Sequence, residues 1–240
     1  DLAALEQLLA ACPVQRKLVV SDAVFSMDGN LADIEGLLAL CERYDALLLL
    51  DDAHGFGVLG PQGRGSLTAA GLTGAKASPR VLYMATLSKA AGISGAFVAG
   101  HELLIEWLLQ KTRSYTFATA APAMLARALQ TSVQLIEQQS ALRLQLQARI
   151  AQLRAGLQPL LQGKGWRLLP SETAVQALVV GSNDAALGLM EGLRRRGLWV
   201  PAIRPPTVPV GTARLRIALS ALHTEADVSQ LLAALQELTG

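Results

Sequence analysis

Aromatic side chains make up only 4% of this 240-residue chain and charged ones 17%, and there are just two cysteines and three histidines. Cys12 and Cys41 are too few for a disulfide framework, and no CxxC or His-x-x-His spacing offers a metal site. Zinc and catalytic-thiol chemistry are therefore disfavoured, and a reducing, cytoplasmic setting is expected. The 21 basic and 19 acidic residues are spread along the chain for a formal net charge of +2, which leaves no electrostatic footprint for a nucleic-acid backbone. Aliphatic stretches such as residues 47–50 fall far short of the roughly 20 residues that span a bilayer. Neither nucleic acid nor a membrane is an expected partner. What is plentiful is aliphatic bulk: the chain is 51% hydrophobic, which rules out disorder, collagen and small disulfide scaffolds and suits one large or two modest domains. It opens at Asp1 and enters an amphipathic pattern at once (Leu2, Leu5, Leu8, Leu9), with neither a charged n-region nor a cleavage-type segment. That reads as a start partway into a fold.

Residues 16–21 (RKLVVS) form a short apolar run expected to be a buried strand. Ile34, Leu37, Leu38, Leu40 and Cys41 then recur at helical spacing, and residues 46–50 make a second buried run ending at Asp51. A glycine-rich loop through Gly65 leads to a third strand at 81–86 and a fourth at 95–99. Strands separated by helices predict an α/β fold with a mostly parallel sheet, whose ligand groups gather at strand carboxyl ends. Ser21, Asp51 and Thr86 stand at such ends. After Pro122, leucine, alanine and glutamine dominate to about Leu161, predicting one long helix or two joined near Ser140. Beyond it come a strand at 174–180, a helix at 184–196, strands at 198–203 and 214–219, and a helix from Glu225. The expected organisation is a large domain over 1–121, a helical connecting segment over 122–162 and a small α+β domain over 163–240.

Asp51, Asp52 and His54 in DDAHGFG, directly after a buried strand, suit a metal site, a proton relay or a pair of loop caps. The glycines behind them allow a ligand close to the backbone. Lys89, one of five lysines, lies among small residues in ATLSKAAGISG, where desolvation or a nearby cation equips a lysine to form a Schiff base. An aspartate at one strand end followed by Ser/Thr-x-x-Lys at the next has a specific use. Pyridoxal phosphate needs an anion at its ring nitrogen, hydroxyls at its phosphate and a lysine at its aldehyde.

The segments VFSMDGN (24–30), DDAHGFGVLGPQGRG (51–65), TLSKAAGISGA (86–96), FATAAPA (117–123) and AIRPPTVPVGTARLRIALSALHT (202–224) occur in the order seen in the α-oxoamine synthase family of fold-type I pyridoxal-phosphate enzymes, which the chain resembles over nearly its whole length. The resemblance implies a fold-type I large domain, incomplete at its N-terminus, with pyridoxal 5'-phosphate as cofactor. It implies that Lys89 is the Schiff-base lysine and the α-proton base, that Asp51 pairs with the ring nitrogen, that His54 and Ser26 lie by the phenolic edge of the ring, and that Thr86 binds phosphate. Thr119 matches a hydroxyl lent to the neighbouring subunit, which implies a homodimer. Arg216 matches the residue that holds the amino acid carboxylate, a group its planar fork suits, while Arg204 and Thr207 match residues lining an acyl-chain pocket. Arg214 reads as part of a solvated strand face, and Arg194, Arg195 and Arg196 as a helix-end cluster that complements the helix dipole, with docking of an acidic acyl carrier protein as its other use.

The implied reaction is decarboxylative condensation of L-alanine with a pimeloyl thioester, on acyl carrier protein or CoA, in biotin synthesis. The IRPPTVP stretch favours this over glycine C-acetyltransferase, which uses the same scaffold. Family members carry a further stretch before the point matching Asp1, with a glycine-rich phosphate loop and a ring-stacking histidine that have no counterpart here. A non-catalytic fragment or a dimerisation module is therefore the reading of another class.

Overall fold

The computed structural model describes residues 1–239 and divides into two compact units, one of residues 1–24 and 32–140, the other of 25–31 together with residues from 141 onward. The helical stretch expected over 122–162 is thus shared between them, dividing at the joint near Ser140, and a short turn far upstream belongs to the second unit.

The first unit starts with α1 (Leu2–Ala11), whose first turn is capped by the Asp1 carboxylate accepting from the Ala4 N–H. β1 (Lys17–Asp22), α2 (Ile34–Arg43) and β2 (Ala46–Asp51) form the strand, helix, strand unit read from the sequence. Asp33 caps α2 by accepting from Gly36 N–H at 2.9 Å, and Glu35 and Arg43 complement its dipole at opposite ends. α3 (Ser66–Ala69) is a single turn, followed by β3 (Val81–Thr86), β4 (Ala96–Ala99), α4 (Glu102–Lys111), α5 (Arg113–Thr116) and α6 (Ala123–Gln138). The sheet runs β1-β2-β3-β4, parallel through β3, with β4 antiparallel. A nine-residue link without a helix joins β3 to β4, too short for a parallel crossover, so the chain returns antiparallel. Ala46, Leu48 and Leu50 on alternate positions of β2 are fully buried; Leu9, Val19, Leu37, Leu38 and Cys41 pack with Ala46 and Leu48, and Ala23 and Ile34 with Leu50.

The second unit holds α7 (Ser140–Leu157), which begins at the division, β5 (Arg167–Leu168), β6 (Val175–Gly181), α8 (Asn183–Arg195), β7 (Ala202–Ile203), β8 (Ala213–Ala218) and α9 (Glu225–Thr239). Its sheet is wholly antiparallel in the order β5-β6-β8-β7. Leu153, Leu157, Leu178, Leu193, Leu215 and Leu235 fill its core. A Cβ on Gly192 would lie 2.5 Å from the Leu238 side chain, which would have to shift to admit it. Among the described residues no helix is long and apolar enough to cross a membrane.

Candidate active site

The carboxyl ends of the parallel strands carry the candidate groups of the first unit. Register places Asp22 opposite Asp51, and Asp51 opposite Met84, two residues before Thr86. The two adjacent aspartates are told apart by strand parity. Asp52 continues the buried series Ala46, Leu48, Leu50 and is 0% exposed, whereas Asp51 projects from the other face and stays partly accessible. Asp51 Oδ1 accepts from the Ala53 N–H at 2.9 Å, which fixes the carboxylate where the loop begins.

Asp52 organises that loop. It accepts from the Ser66 N–H at 2.7 Å, the Ser66 hydroxyl at 2.5 Å and the Tyr83 hydroxyl at 2.7 Å. Burial pushes the Asp52 carboxyl up, opposed by these hydrogen bonds, and burial together with the Asp52 charge raises the Tyr83 phenol far above its usual range. A Cβ on Gly65, which adopts φ +93°, would come within 2.2 Å of the Tyr83 hydroxyl and 2.3 Å of Asp52. Only glycine fits there.

Lys89 sits in a tight exposed turn closed by Leu87 N–H to Gly95 O at 2.9 Å and Gly92 N–H to Lys89 O at 3.0 Å. The neighbouring Ala91 carbonyl accepts from Ser132 of α6 at 2.7 Å, anchoring the turn. The Lys89 ammonium reaches Asp22 electrostatically: burial and then the Asp51 charge push the Asp22 carboxyl up, and Lys89 pulls it down. Asp51, Asp22 and Lys89 therefore share one field. The Thr86 hydroxyl oxygen is buried and has no hydrogen-bond partner among the described residues, a costly state for a polar group unless a ligand completes it. His54 lies half-buried in the turn after Ala53. Thr119 lies exposed between α5 and α6 and is not gathered with the others. For the metal alternative at DDAHGFG, the described residues hold no group of three or more His, Cys, Asp or Glu arranged to bind an ion.

The remaining candidates belong to the second unit. Arg216 of β8 donates from Nε to the Ser26 carbonyl at 2.6 Å, so the structure brings Ser26 and Arg216 together. Arg216 is half-buried, and desolvation lowers its pKa from an ordinary value so high that the guanidinium stays charged. Arg204 and Thr207 are exposed in one turn after β7, closed by Thr207 N–H to Arg204 O at 3.0 Å. Arg214 departs from expectation. It is not on a solvated face but 4% exposed, paired with Asp28 and donating to Thr212 O at 3.1 Å and Met27 O at 3.4 Å. Its side of the strand is covered by the turn at 25–31, more than 180 residues earlier in sequence. The arginines ending α8 meet acids as helix-surface pairs, Arg194 and Arg195 with Glu191 and Arg196 with Glu237.

The family model for aminotransferases of class I and II matches residues 1–235. The chain belongs to the aminotransferase class I and II family. Within it, the chain is 76% identical over 238 residues to the 8-amino-7-oxononanoate synthase of Paracidovorax citrulli, covering 99% of this chain and 58% of that relative. Among solved structures, SPT with pyridoxal phosphate superposes with a TM-score of 0.90 at 29% identity, over 99% of this chain and 58% of that one. The 8-amino-7-oxononanoate synthase from Francisella tularensis gives a TM-score of 0.79 at 26% identity, over 97% of this chain and 65% of that one.

For a member of the class I and II aminotransferases, the residues present suit pyridoxal phosphate: a buried hydroxyl lacking a partner, a carboxylate fixed at a strand end and an amine on the following turn. Sequence reading missed Asp22, Asp28 and the pairing of Ser66 and Tyr83 with Asp52. Asp22 was within reach of it, lying one residue past Ser21, at the true end of β1.

Proposed function

We propose that the protein is a pyridoxal-phosphate-dependent 8-amino-7-oxononanoate synthase, condensing L-alanine with a pimeloyl thioester to give 8-amino-7-oxononanoate, carbon dioxide and free thiol. The observation that carries the cofactor assignment is the Thr86 hydroxyl, buried and unpartnered three residues before Lys89. The choice of reaction rests on the 76% identity to a protein of that name.

Bound pyridoxal phosphate supplies an electron sink for charge developing at the amino acid's α-carbon. Lys89 Nζ would hold the cofactor at its aldehyde and, with substrate bound, would serve as base for the α-proton. The Asp51 carboxylate would keep a proton on the ring nitrogen, which a carboxylate fixed by a backbone N–H is arranged to do without moving. The Thr86 hydroxyl would bind the phosphate, and His54 and Ser26 are the residues that the family resemblance assigns to the phenolic edge. Arg216 presents its terminal nitrogens to the alanine carboxylate, and Arg204 and Thr207 line the acyl chain.

The working form is proposed to be a homodimer in the cytoplasm, with the pimeloyl group delivered on acyl carrier protein or CoA. Leu103, Trp107, Tyr115, Phe117 and Met124, in the stretch of chain that includes Thr119, are 60–79% exposed, and large apolar side chains left bare are what a subunit interface covers. The free thiols of Cys12 and Cys41 suit a reducing compartment.

The test sets two substrate pairs side by side on the full-length, cofactor-loaded polypeptide, with its mass in solution measured in parallel. Alanine with pimeloyl thioester is expected to outrun glycine with acetyl thioester by at least about tenfold, a difference of about 1.4 kcal/mol in barrier. The reverse preference would make the protein a glycine C-acetyltransferase, and failure to bind cofactor would support a non-catalytic role.

A further inference from the structure

The turn at 25–31 is fastened to the second unit at several points. Gly29 O accepts from the Ser171 hydroxyl at 2.8 Å and the Thr173 hydroxyl at 3.0 Å, and a Cβ on Gly29 would strike the Val175 carbonyl at 2.1 Å. The turn closes on itself through Gly29 N–H to Phe25 O at 2.7 Å and Phe25 N–H to Asn30 O at 3.0 Å. Its outer corner is held by Arg214, which pairs with Asp28 and reaches the Met27 carbonyl. Arg214 and Arg216 are two apart on β8 and so project from the same face of that strand. They grip consecutive parts of one turn, Arg214 at residues 27 and 28 and Arg216 at the Ser26 carbonyl.

We propose that the Asp28–Arg214 pair is a positioning device for Arg216: by fixing the turn it fixes the Ser26 carbonyl, which holds Arg216 Nε and leaves both terminal nitrogens aimed as a fork for an incoming carboxylate. Neither terminal nitrogen of Arg216 is engaged by a described residue, as a preformed carboxylate site requires. Arg214 does not itself touch substrate in this account. Its guanidinium is spent on Asp28, Met27 O, Thr212 O at 3.1 Å and the Thr212 hydroxyl at 3.1 Å. Without the pair the turn loosens, Arg216 regains rotamer freedom, and the amino acid must order that side chain as it binds.

The inference rests on the proposed role of Arg216 as carboxylate holder, so the test separates the two. Asp28→Asn, Asp28→Glu, Arg214→Lys and Arg216→Lys are made in the full-length, cofactor-loaded protein. Three readouts are taken: the Kd for L-alanine from the change in the cofactor's visible absorption, the KM and kcat for alanine and thioester, and amide hydrogen exchange over residues 25–31. Asp28→Asn is expected to speed exchange in that segment and to raise the alanine Kd and KM roughly threefold to tenfold, the cost of ordering one long side chain. The thioester KM and kcat should stay within about twofold, and Asp28→Glu should restore alanine binding. A merely structural pair would lower the yield and melting temperature without this split. If Arg216→Lys weakens alanine binding while Asp28→Asn does not, the positioning role is overturned and the carboxylate reading stands. If Arg216→Lys leaves alanine binding unchanged, the carboxylate reading falls and the positioning role falls with it. Should Arg214→Lys fail to fold, Asp28→Asn decides alone, since Asp28 is partly exposed.

Discussion

Asp51 and Asp52 share a side-chain chemistry and differ in what surrounds them. One is anchored by a single backbone N–H and left open, and the other is sealed under three hydrogen bonds. The open one is the aspartate proposed to act on the cofactor. Replacing its charge with an amide keeps the shape and removes the anion proposed to hold a proton on the cofactor ring. Asp51→Asn is therefore expected to lower kcat by about 10²–10³, the usual effect of deleting one preorganised electrostatic contact, with cofactor still bound. Steady-state kinetics, with the bound cofactor's absorbance as a control, checks this, and an unchanged kcat would remove Asp51 from the mechanism. In the sequence the two aspartates are told apart only by the family resemblance, because the run before them is apolar at every position and the alternation of β2 shows only in its burial. The pairing of Arg214 was not legible. An arginine on alternate strand positions reads as solvent-facing unless the covering segment is known, and that segment lies 186 residues away.

At the scale of elements, the loop between β2 and β3 is set by a buried carboxylate, and its stability should follow the protonation of that carboxylate. The Asp52 pKa is raised in the folded state, so its ionisation costs stability as pH climbs from the ordinary carboxylate range through the folded value. The Tyr83 hydroxyl offsets part of that cost by donating to the ionised form. Tyr83→Phe is thus expected to destabilise the protein by about 1–3 kcal/mol near neutrality, the cost of stranding a buried hydrogen-bonding group. The loss should shrink at acid pH, below the raised pKa at which Asp52 takes up its proton. Urea unfolding at the two pH values measures it, and an equal loss at both would show that Asp52 is not the group being served. Most elements were readable because their apolar spacing is regular, as in α2 and β2. Those that were not have physical reasons. α4 buries none of its residues, so no single apolar face marks it, and the strand expected over 198–203 shortens to Ala202–Ile203 because Pro201 has no N–H to add to a ladder.

For the whole molecule, the order of motifs along the chain announced the family, while the division into units did not follow the motifs. VFSMDGN reads as one loop after β1, yet residues 25–31 fold with the second unit, because their partners Ser171, Thr173, Arg214 and Arg216 all lie there. The chain spans 58% of the length of the Paracidovorax citrulli relative, and what it contains is the strand-end cluster around Lys89 and the arginines of β8. The central claim is that this cluster holds pyridoxal phosphate through Lys89. Borohydride reduction of the cofactor-loaded protein, which fixes the cofactor onto the amine bonded to it, followed by peptide mass mapping, tests that claim most directly. The account predicts a single pyridoxyl adduct on Lys89, lost in Lys89→Ala; a label on another lysine, or none, would contradict it.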